Sequence, residues 1–342
     1  MAKKIALKDI AQAVGVSTTL VSYVLNNQKE NRISKEVAQK IRQVAQELDY
    51  RPNQIAKSLK TNKTRTLGLI VADIANPFSA ALARTIEDEV DQHNYTVIFG
   101  SSDENAQKCQ KLITTLLNRQ VDGLLIAAPE GTEAQLVHLQ QQGVPFVLID
   151  RYFPHLKTSY VALDNYQAMY SAVQQLIDNG YQRIGLVTLK TSLFHIQERT
   201  RGYQTALQAG KLTAKKSWLR EINRSHIPTE VAKAVQDLVH SSVEAIVFAS
   251  NTLTLAGLKQ VKLMKKQVPQ EVALVGFDET EAYDLLDTPL TYIRQPIKEI
   301  GKLATKILLE TLATKNQIAQ ANIEATLVVQ ASTKPVMTTI PS

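Results

Sequence analysis

The sequence predicts an N-terminal all-α helix-turn-helix domain followed by a larger α/β domain of two parallel-sheet lobes. Amphipathic helical patterns with a glycine turn fill residues 7–48, and short apolar runs alternate with amphipathic helices from residue 66 onward. The chain has 342 residues, which is more than one ordinary hydrophobic core organises. Two or three domains are therefore expected.

Composition excludes several classes of protein. Apolar residues make up 44% of the chain, which favours a packed globule. No apolar run approaches the ~18 residues of a membrane helix, and no apolar stretch follows Lys3 and Lys4 as in a secretory signal. The single cysteine allows neither an internal disulfide nor a thiolate zinc cluster, and the spacing of Cys109 predicts a helix-core thiol. A cytoplasmic protein with no metal and no cofactor is expected.

The positive charge is concentrated at the N-terminus. Residues 1–63 contain 12 Lys and Arg against 5 Asp and Glu, which accounts for the whole net charge of +7. The remaining residues carry 27 of each sign. This segregation predicts a polyanion-binding head on a neutral body. The alternative, a basic tail without a fold, is disfavoured by the helical patterns.

Three short helices are predicted in the head. The stretch LKDIAQAV places Leu7, Ile10 and Val14 on one face, and Gly15 then permits a tight turn. Ser17 is a good N-cap for a second helix. A third helix, starting at Ser34, buries apolar residues at helical spacing: Val37, Ile41, Val44, Ala45 and Leu48.

The second helix carries an uncharged, hydrogen-bonding face. Opposite the apolar stripe of Leu20, Val21, Val24 and Leu25 lie Thr18, Thr19, Ser22, Tyr23 and Asn26. In a helix-turn-helix motif the second helix enters the DNA major groove, where base edges present donors, acceptors and thymine methyls. We therefore assign DNA contacts to this face and to Ser17. A small helical domain that binds protein is the alternative.

Residues 51–60, RPNQIAKSLK, form a second candidate DNA element. A helix starting at Pro52 or Asn53 is too short to be stable alone in water, so it needs a partner that holds it. Lys57 and Lys60 supply positive charge, and Leu59 beside them suits a wedge between base steps in the minor groove. Without the upstream motif, a plain interdomain linker explains the segment equally well.

The rest of the chain alternates strands and helices. Eight strand candidates, from TLGLIVADI near residue 66 to VALVGFD near residue 272, are separated by helices such as 104–119 and 166–179. About eleven strands exceed one open sheet, so two lobes are expected. The late segments TYIRQP and EATLVVQAST are predicted to cross back between the lobes. Ligands of such folds bind at the carboxyl ends of strands, here in the cleft between lobes.

Polar and aromatic side chains follow these strands. The candidate effector contacts are Asn76, Phe78, Asp150, Arg151, Arg199, Asn251, Asp278 and Gln295. Carboxylates, amides and guanidinium groups hydrogen-bond sugar hydroxyls, and an aromatic ring covers an apolar sugar face. Asp278 and Asn251 have a structural alternative as helix caps, and Arg151 and Arg199 as partners of surface acids. Two Asp and two Arg sum to zero, which favours a neutral sugar over a sugar phosphate or sugar acid.

At this point the chain resembles the LacI/GalR family of bacterial transcription regulators. The stretches LKDIAQAVGVSTTLVSYVLNN, ELDYRPNQIAKSLKT, TRTLGLIVADIANPFSAAL, RGYQTAL and VALVGFDETE carry the likeness, which covers nearly the whole chain. It implies that residues 18–26 read the major groove and that 52–60 is a hinge helix with Leu59 as the intercalating wedge. Many members have Arg where this chain has Tyr23, so the operator is expected to differ from the commonest family sequence. Tyr at this place, followed by Arg32 before the third helix, resembles the fructose- and sucrose-regulator branch.

The resemblance also implies an effector domain similar to periplasmic sugar-binding proteins. It assigns residues 1–50 to the DNA-binding domain, 51–63 to the hinge and linker, and 64–342 to the effector domain. The N-lobe is expected at about 64–162 plus 294–323, and the C-lobe at about 163–293 plus 324–335. The strand-end residues take the ligand contacts of related proteins, and the Asp150–Arg151 pair resembles the ribose-binding type. Thr252 stands where many relatives have Asp.

The resulting interpretation is a homodimeric repressor of carbohydrate-utilisation genes. It binds a near-palindromic double-stranded operator and is controlled allosterically by a small sugar, sugar phosphate or sugar acid. An enzyme is the main alternative, but the G-x-S-x-G, H-E-x-x-H, P-loop and G-x-G-x-x-G motifs are missing. A transport-binding protein is opposed by the basic head and by the missing signal peptide.

Overall fold

The computed structural model describes residues 5–51, 63–314 and 317–334. Two compact units divide between Thr64 and Arg65. The helices are α1 Leu7–Val14, α2 Thr18–Leu25, α3 Lys35–Glu47, α4 Pro77–Gln92, α5 Ala106–Asn118, α6 Glu133–Gln141, α7 Asn165–Asp178, α8 Phe194–Ala209, α9 Ile227–His240, α10 Asn251–Leu263 and α11 Ile297–Thr314. The strands are β1 Thr66–Val71, β2 Thr96–Ser101, β3 Gly123–Ile126, β4 Phe146–Ile149, β5 Tyr160–Leu163, β6 Ile184–Leu189, β7 Leu219–Ile222, β8 Ala245–Phe248, β9 Ala273–Phe277, β10 Thr291–Arg294, β11 Gln320–Ile323 and β12 Thr326–Val328. Five short 3₁₀ helices cover Glu30–Arg32, Lys216–Trp218, Arg224–His226, Glu281–Leu285 and Ala331–Thr333.

The first unit is a three-helix head whose caps follow the sequence. Gly15 ends α1 at φ 81°, a left-handed conformation that glycine adopts without a Cβ clash. The hydroxyl of Ser17 accepts a hydrogen bond from the Leu20 N–H at 3.2 Å, and Ser34 caps α3 in the same way. The core of the head consists of Ile10, Ala11, Val21, Val24, Ile41 and Ala45. Their burial leaves the uncharged face of α2 at the surface of this unit.

The second unit contains two six-stranded sheets of matching order. The N-lobe sheet runs β11-β5-β4-β3-β1-β2, and the C-lobe sheet runs β12-β10-β9-β8-β6-β7. All neighbouring pairs are parallel except β10 with β12. Helices cover both faces of each sheet, so the central strands, β4, β3 and β1 in the N-lobe and β9, β8 and β6 in the C-lobe, are almost entirely buried and apolar. The predicted fold class is confirmed.

The chain passes between the lobes three times. It leaves the N-lobe after Leu163, returns after Arg294 with α11, and leaves again after Ile323. The predicted crossings at TYIRQP and EATLVVQAST lie at the second and third passages. All eight predicted strands are present. The sequence did not predict two edge strands, β7 with the sequence LREI and β11 with the sequence QANI, because polar residues interrupt their apolar runs. Among the helices that the structure describes, none is long and apolar enough to span a membrane.

Helices α7 and α8 pack closely against each other in the C-lobe. A Cβ placed on Gly202 of α8 would lie 2.4 Å from the Tyr166 carbonyl oxygen and 3.0 Å from the Tyr170 nitrogen. The missing side chain therefore lets the two helix backbones approach. This contact fixes the position of α8, which carries Arg199 one turn before Gly202.

Candidate functional site

A small cavity lies between the lobes at the carboxyl ends of their strands. Its volume, measured as the space open to the centre of a water-sized sphere, is about 60 Å³. It is lined by Ala72, Asp73, Asn76, Phe78, Ser79, Glu104, Asp150, Arg151, Leu189, His195, Ile196, Arg199, Arg224, Ser250, Thr252, Asp278 and Gln295. The two sheets thus direct their ligand-binding edges at one shared site.

Two buried aspartates occupy equivalent places in the two lobes. Asp150 follows β4 and Asp278 follows β9, and both have φ 66°, in the left-handed region. The Asp150 N–H donates to Val161 and the Asp278 N–H to Ile293, both at 2.9 Å. Burial raises the pKa of both carboxyl groups, that of Asp278 to about 6. Each lobe therefore presents one carboxylate with an elevated proton affinity to the cavity.

Glu104 connects arginines of the two lobes. Its carboxylate accepts two hydrogen bonds from Arg151, at 2.6 and 2.7 Å, and lies 2.9 Å from Nη1 of Arg224 in the C-lobe. Burial alone would raise the pKa of Glu104, but the Arg151 hydrogen bonds and charge hold it below its ordinary value. Arg151 also contacts Asp150 at 3.3 Å. Both arginines are thus neutralised by protein carboxylates.

Arg199 is held on three sides by its own lobe. Its Nε donates to Asn165 Oδ1 and its Nη1 to the Ala249 carbonyl, each at 2.7 Å. The guanidinium carbon lies 3.6 Å from the centre of the Phe277 ring. Burial lowers the pKa of Arg199 to about 10, and nearby Asp278 opposes this shift. The side chain remains charged at neutral pH and is rigidly oriented.

Several buried polar atoms around the cavity have no partner in the described part of the chain. They include Nδ1 of His195, Oε1 of Gln295 and both polar atoms of the Asn251 amide. Burial and three nearby arginines, Arg151 first among them, lower the pKa of His195 well below its ordinary value, so its imidazole is neutral. Because unsatisfied buried polar groups are costly, these atoms indicate a place for a hydrogen-bonding ligand.

Seven of the eight predicted effector residues line this cavity: Asn76, Phe78, Asp150, Arg151, Arg199, Asp278 and Gln295. Asn251 is buried at the start of α10 but is not among the lining residues, and its backbone N–H hydrogen-bonds to Asp278. The cap of α10 is Ser250, whereas Asn76 caps α4 by accepting from the Phe78 N–H. The side chain of Asp278 instead accepts from Gln295 at 2.6 Å.

The charge balance from the sequence, two Asp against two Arg, is wrong. The cavity also contains Asp73, Glu104 and Arg224, so four acids face three arginines. Glu104 follows β2, a predicted strand, and the strand-end rule would have found it. His195 lies one turn before Arg199 on the same helix face, which is a usable signal. Arg224 follows β7, a strand that the sequence did not predict.

The head presents a separate polar surface on α2. Thr18, Thr19 and Asn26 are exposed, while Ser22 and Tyr23 are half-buried. The Asn26 amide donates to the Ser22 carbonyl at 2.8 Å. Ser17 is exposed, but its hydroxyl caps the helix. Four predicted DNA contacts and the predicted hinge helix lie outside the described residues: Asn53, Lys57, Leu59 and Lys60.

A three-helix head with an exposed reading surface and a two-lobed receptor with a polar cleft define a class, the ligand-regulated transcription factors. Residues 6–53 match the family model described as bacterial regulatory proteins, lacI family. Residues 64–332 match periplasmic binding proteins and sugar binding domain of LacI family. The chain belongs to the LacI family of bacterial regulatory proteins.

Individual relatives agree with this assignment. The ribose operon repressor of Haemophilus influenzae is 31% identical over 91% of this chain and 93% of its own. The structure of the lac repressor dimer bound to operator and an anti-inducer superposes with a TM-score of 0.85, at 21% identity, covering 97% of this chain and all of that one. The structure of a LacI family regulator of Enterococcus faecium with bound ribose superposes with a TM-score of 0.69, at 25% identity. It covers 79% of this chain and 99% of that one.

Proposed function

We propose that this protein is a homodimeric repressor of carbohydrate-utilisation genes whose effector is an uncharged monosaccharide, D-ribose or a close pentose. The observation that carries this proposal is the state of the cleft arginines. Arg151 and Arg224 already contact Glu104, and Arg199 already donates to Asn165 and Ala249. Every guanidinium group that lines the described cleft already has a protein partner, so none is left to bind a phosphate or carboxylate of the ligand.

The remaining groups suit hydroxyls. Asp150, Asp278 and the unpartnered Gln295 oxygen accept hydrogen bonds, and the unpartnered Nδ1 of His195 can donate or accept one according to the tautomer. A sugar hydroxyl both donates and accepts, so one ring satisfies several of these atoms. An anionic ligand would face four acids against three arginines. Neutral sugars are therefore favoured over the sugar phosphates and sugar acids that the sequence left open.

Two further features narrow the range of proposed ligands. The cavity of about 60 Å³ suits a compact ring more than an oligosaccharide. A ribose operon repressor is among the relatives, and a ribose-bound regulator is among the similar structures. Phe78 lines the same cavity, where an aromatic ring covers the apolar face of a sugar.

The head supports recognition of double-stranded DNA. Its helix-turn-helix motif matches the family model, and the whole net charge of +7 lies in residues 1–63. A near-palindromic operator follows from a dimer with one head per half-site. Steep weakening of binding with salt is expected because phosphate contacts release counterions.

Exposed apolar side chains support a dimer. In the N-lobe, Ile98 and Phe99 on the edge strand β2 are 41% and 58% exposed. In the C-lobe, Leu263 and Leu285 are 68% and 84% exposed. Contiguous patches of exposed apolar groups are typical of surfaces that another chain covers, and we propose that these side chains belong to such patches. The lac repressor, which shares this fold, is a dimer in its operator complex.

Effector control is proposed to act through the arrangement of the two lobes. A ligand that binds one arrangement better shifts the population toward it, by no more than its differential affinity. In allosteric proteins this coupling is typically ~1–3 kcal/mol, or about 5- to 150-fold in affinity. Release of the operator on sugar binding is the proposed direction.

The test combines calorimetry with a DNA-binding assay on the full chain. D-Ribose, ribose 5-phosphate and ribonic acid are titrated separately into the protein, and the affinity for duplexes selected from a random library is measured with and without each compound. We expect D-ribose to bind and to lower DNA affinity, and the two anions to bind at least tenfold more weakly. Preferential binding of either anion would overturn the neutral effector, and turnover of the sugar would favour the enzyme alternative.

A further inference from the structure

Lys29 contacts the uncharged face of α2, the face that carries Thr18, Thr19, Ser22, Tyr23 and Asn26. Its ammonium group donates a hydrogen bond to the Tyr23 hydroxyl oxygen at 3.1 Å and lies 4.5 Å from the centre of the Tyr23 ring. Lys29 is exposed, and Tyr23 is half-buried. The hydrogen bond and the cation–π contact together restrain a side chain whose ring torsion is otherwise broad.

The loop that carries Lys29 is itself anchored to the head. The Gln28 N–H donates to the Tyr23 carbonyl oxygen at 2.8 Å, and the Arg32 N–H donates to the Lys29 carbonyl oxygen at 2.9 Å. Arg42 of α3 donates to the Asn27 side chain at 3.1 Å. Asn27 and Lys29 have φ values of 53° and 54°. The hydrogen bonds on either side hold this left-handed backbone, so the fold fixes the Cα position from which the Lys29 side chain reaches Tyr23.

The contact with Lys29 determines which hydrogen bond the Tyr23 hydroxyl can form with a base. A phenol both donates and accepts a hydrogen bond, whereas an ammonium group only donates. When Lys29 donates to the Tyr23 oxygen, the hydroxyl proton points away from the lysine and remains for another partner. Guanine, adenine and thymine each present an acceptor in the major groove, but the cytosine edge presents only the N4 donor. The pair therefore disfavours cytosine.

We propose that Lys29 is a positioning residue, which fixes the Tyr23 phenol as a hydrogen-bond donor and so sets the base preference at one position of each half-site. This inference rests on the DNA recognition proposed above. The ammonium group also polarises the O–H bond, which makes the phenol a stronger donor. The base preference then belongs to the pair, since neither side chain alone provides an oriented donor.

The experiment selects bound duplexes from a fully randomised library, using the full chain at fixed salt. The variants are Lys29→Met, Lys29→Arg and Tyr23→Phe. Lys40→Met, which removes the same charge from an exposed position on α3, is the matched control. Base frequencies at each position and the affinities for the wild-type consensus are compared.

Depletion of cytosine at one position is expected for the wild type. Tyr23→Phe and Lys29→Met should both lose it at that same position, with discrimination falling about five- to tenfold. Lys29→Arg should retain most of it, because a guanidinium also donates to the phenol. Lys40→Met should lower the affinity for all duplexes alike or leave it unchanged.

Two results would overturn the proposal. If Lys29→Met weakens all duplexes equally and leaves the base frequencies intact, Lys29 contacts phosphate only. If Tyr23→Phe changes no position, the phenol does not read a base. Failure of the wild type to enrich any sequence would instead refute the proposed DNA recognition, and this inference with it.

Discussion

Glu130 and Ser192 join the two lobes outside the effector cavity. Glu130 follows β3 of the N-lobe, and its Oε1 accepts from the Ser192 N–H at 2.9 Å and from the Ser192 hydroxyl at 2.5 Å. Its Oε2 accepts from the Thr191 hydroxyl at 2.7 Å. Both C-lobe residues follow β6. Together with the contact between Glu104 and Arg224, these bonds link the two lobes across the cleft.

Removal of this bridge should weaken effector binding. Glu130→Ala loses three hydrogen bonds that cross from one lobe to the other, so the arrangement of the lobes seen here becomes less favourable. Because the site is exposed, we expect a loss of about 1 kcal/mol, or about fivefold in effector affinity. Titration calorimetry of Glu130→Ala, Ser192→Ala and the double variant measures the coupling. Additive effects of the two substitutions would show that the bridge does not act as a unit.

Asp278→Asn should stabilise the effector-free protein at neutral pH. The folded pKa of Asp278 is about 6, above the unfolded value of roughly 3.9, so the native state binds the proton more tightly. The ionised carboxylate therefore destabilises the fold above pH 6, by roughly 3 kcal/mol, and this cost disappears below about pH 4. Asparagine, which mimics the protonated form, should raise the melting temperature at pH 7.5 and leave it unchanged near pH 4. An equal shift at both pH values would contradict this assignment.

Effector binding by the wild type should weaken in acid for the same reason. Protonation of Asp278 as the pH falls through about 6 removes an acceptor for a sugar hydroxyl. Affinities measured between pH 8 and pH 5 should fall over this range, while Asp278→Asn should bind weakly throughout. A pH-independent affinity would show that this carboxylate does not contact the ligand.

Arg199→Lys should abolish the effector response without loss of DNA binding. Lysine cannot reach both the Asn165 oxygen and the Ala249 carbonyl in the geometry of the guanidinium, and it loses the stacking on Phe277. We expect at least 100-fold weaker effector binding. Arg201→Lys on the same helix, where the exposed arginine pairs with half-buried Glu198, is the control and should respond normally. A normal response of Arg199→Lys would place the effector elsewhere.

Gly202→Ala should destabilise the C-lobe. The new Cβ would lie 2.4 Å from the Tyr166 carbonyl oxygen, so α7 and α8 must separate. We expect a loss of about 2–4 kcal/mol in the free energy of unfolding, measured by urea denaturation. Gly210→Ala is the control, because its closest contact is the flexible end of Ile177 at 2.9 Å. Equal losses in the two variants would refute the backbone clash.

The sequence predicted the helices of the head correctly because the residues that start, end and bury each helix act locally. Gly15 and Ser17 act within one turn of the chain, and the apolar spacing of α3 is a property of that helix alone. The strands followed from continuous apolar runs that both faces of a buried sheet require. The sequence did not predict strand β7, because Arg220 and Glu221 interrupt its apolar run.

From the sequence, the effector site could be predicted only as a group of polar residues that follow the strands. Parallel strands bring their carboxyl ends to one edge, so Asp150 and Asp278 were expected at a cleft before their positions were known. The tertiary structure determines which side chains form ion pairs in the cleft. Arg151 and Arg224 are 73 positions apart, yet they converge on the Glu104 carboxylate because the two lobes close on each other. Electrostatic compensation depends on distances across that closure, which no local pattern encodes.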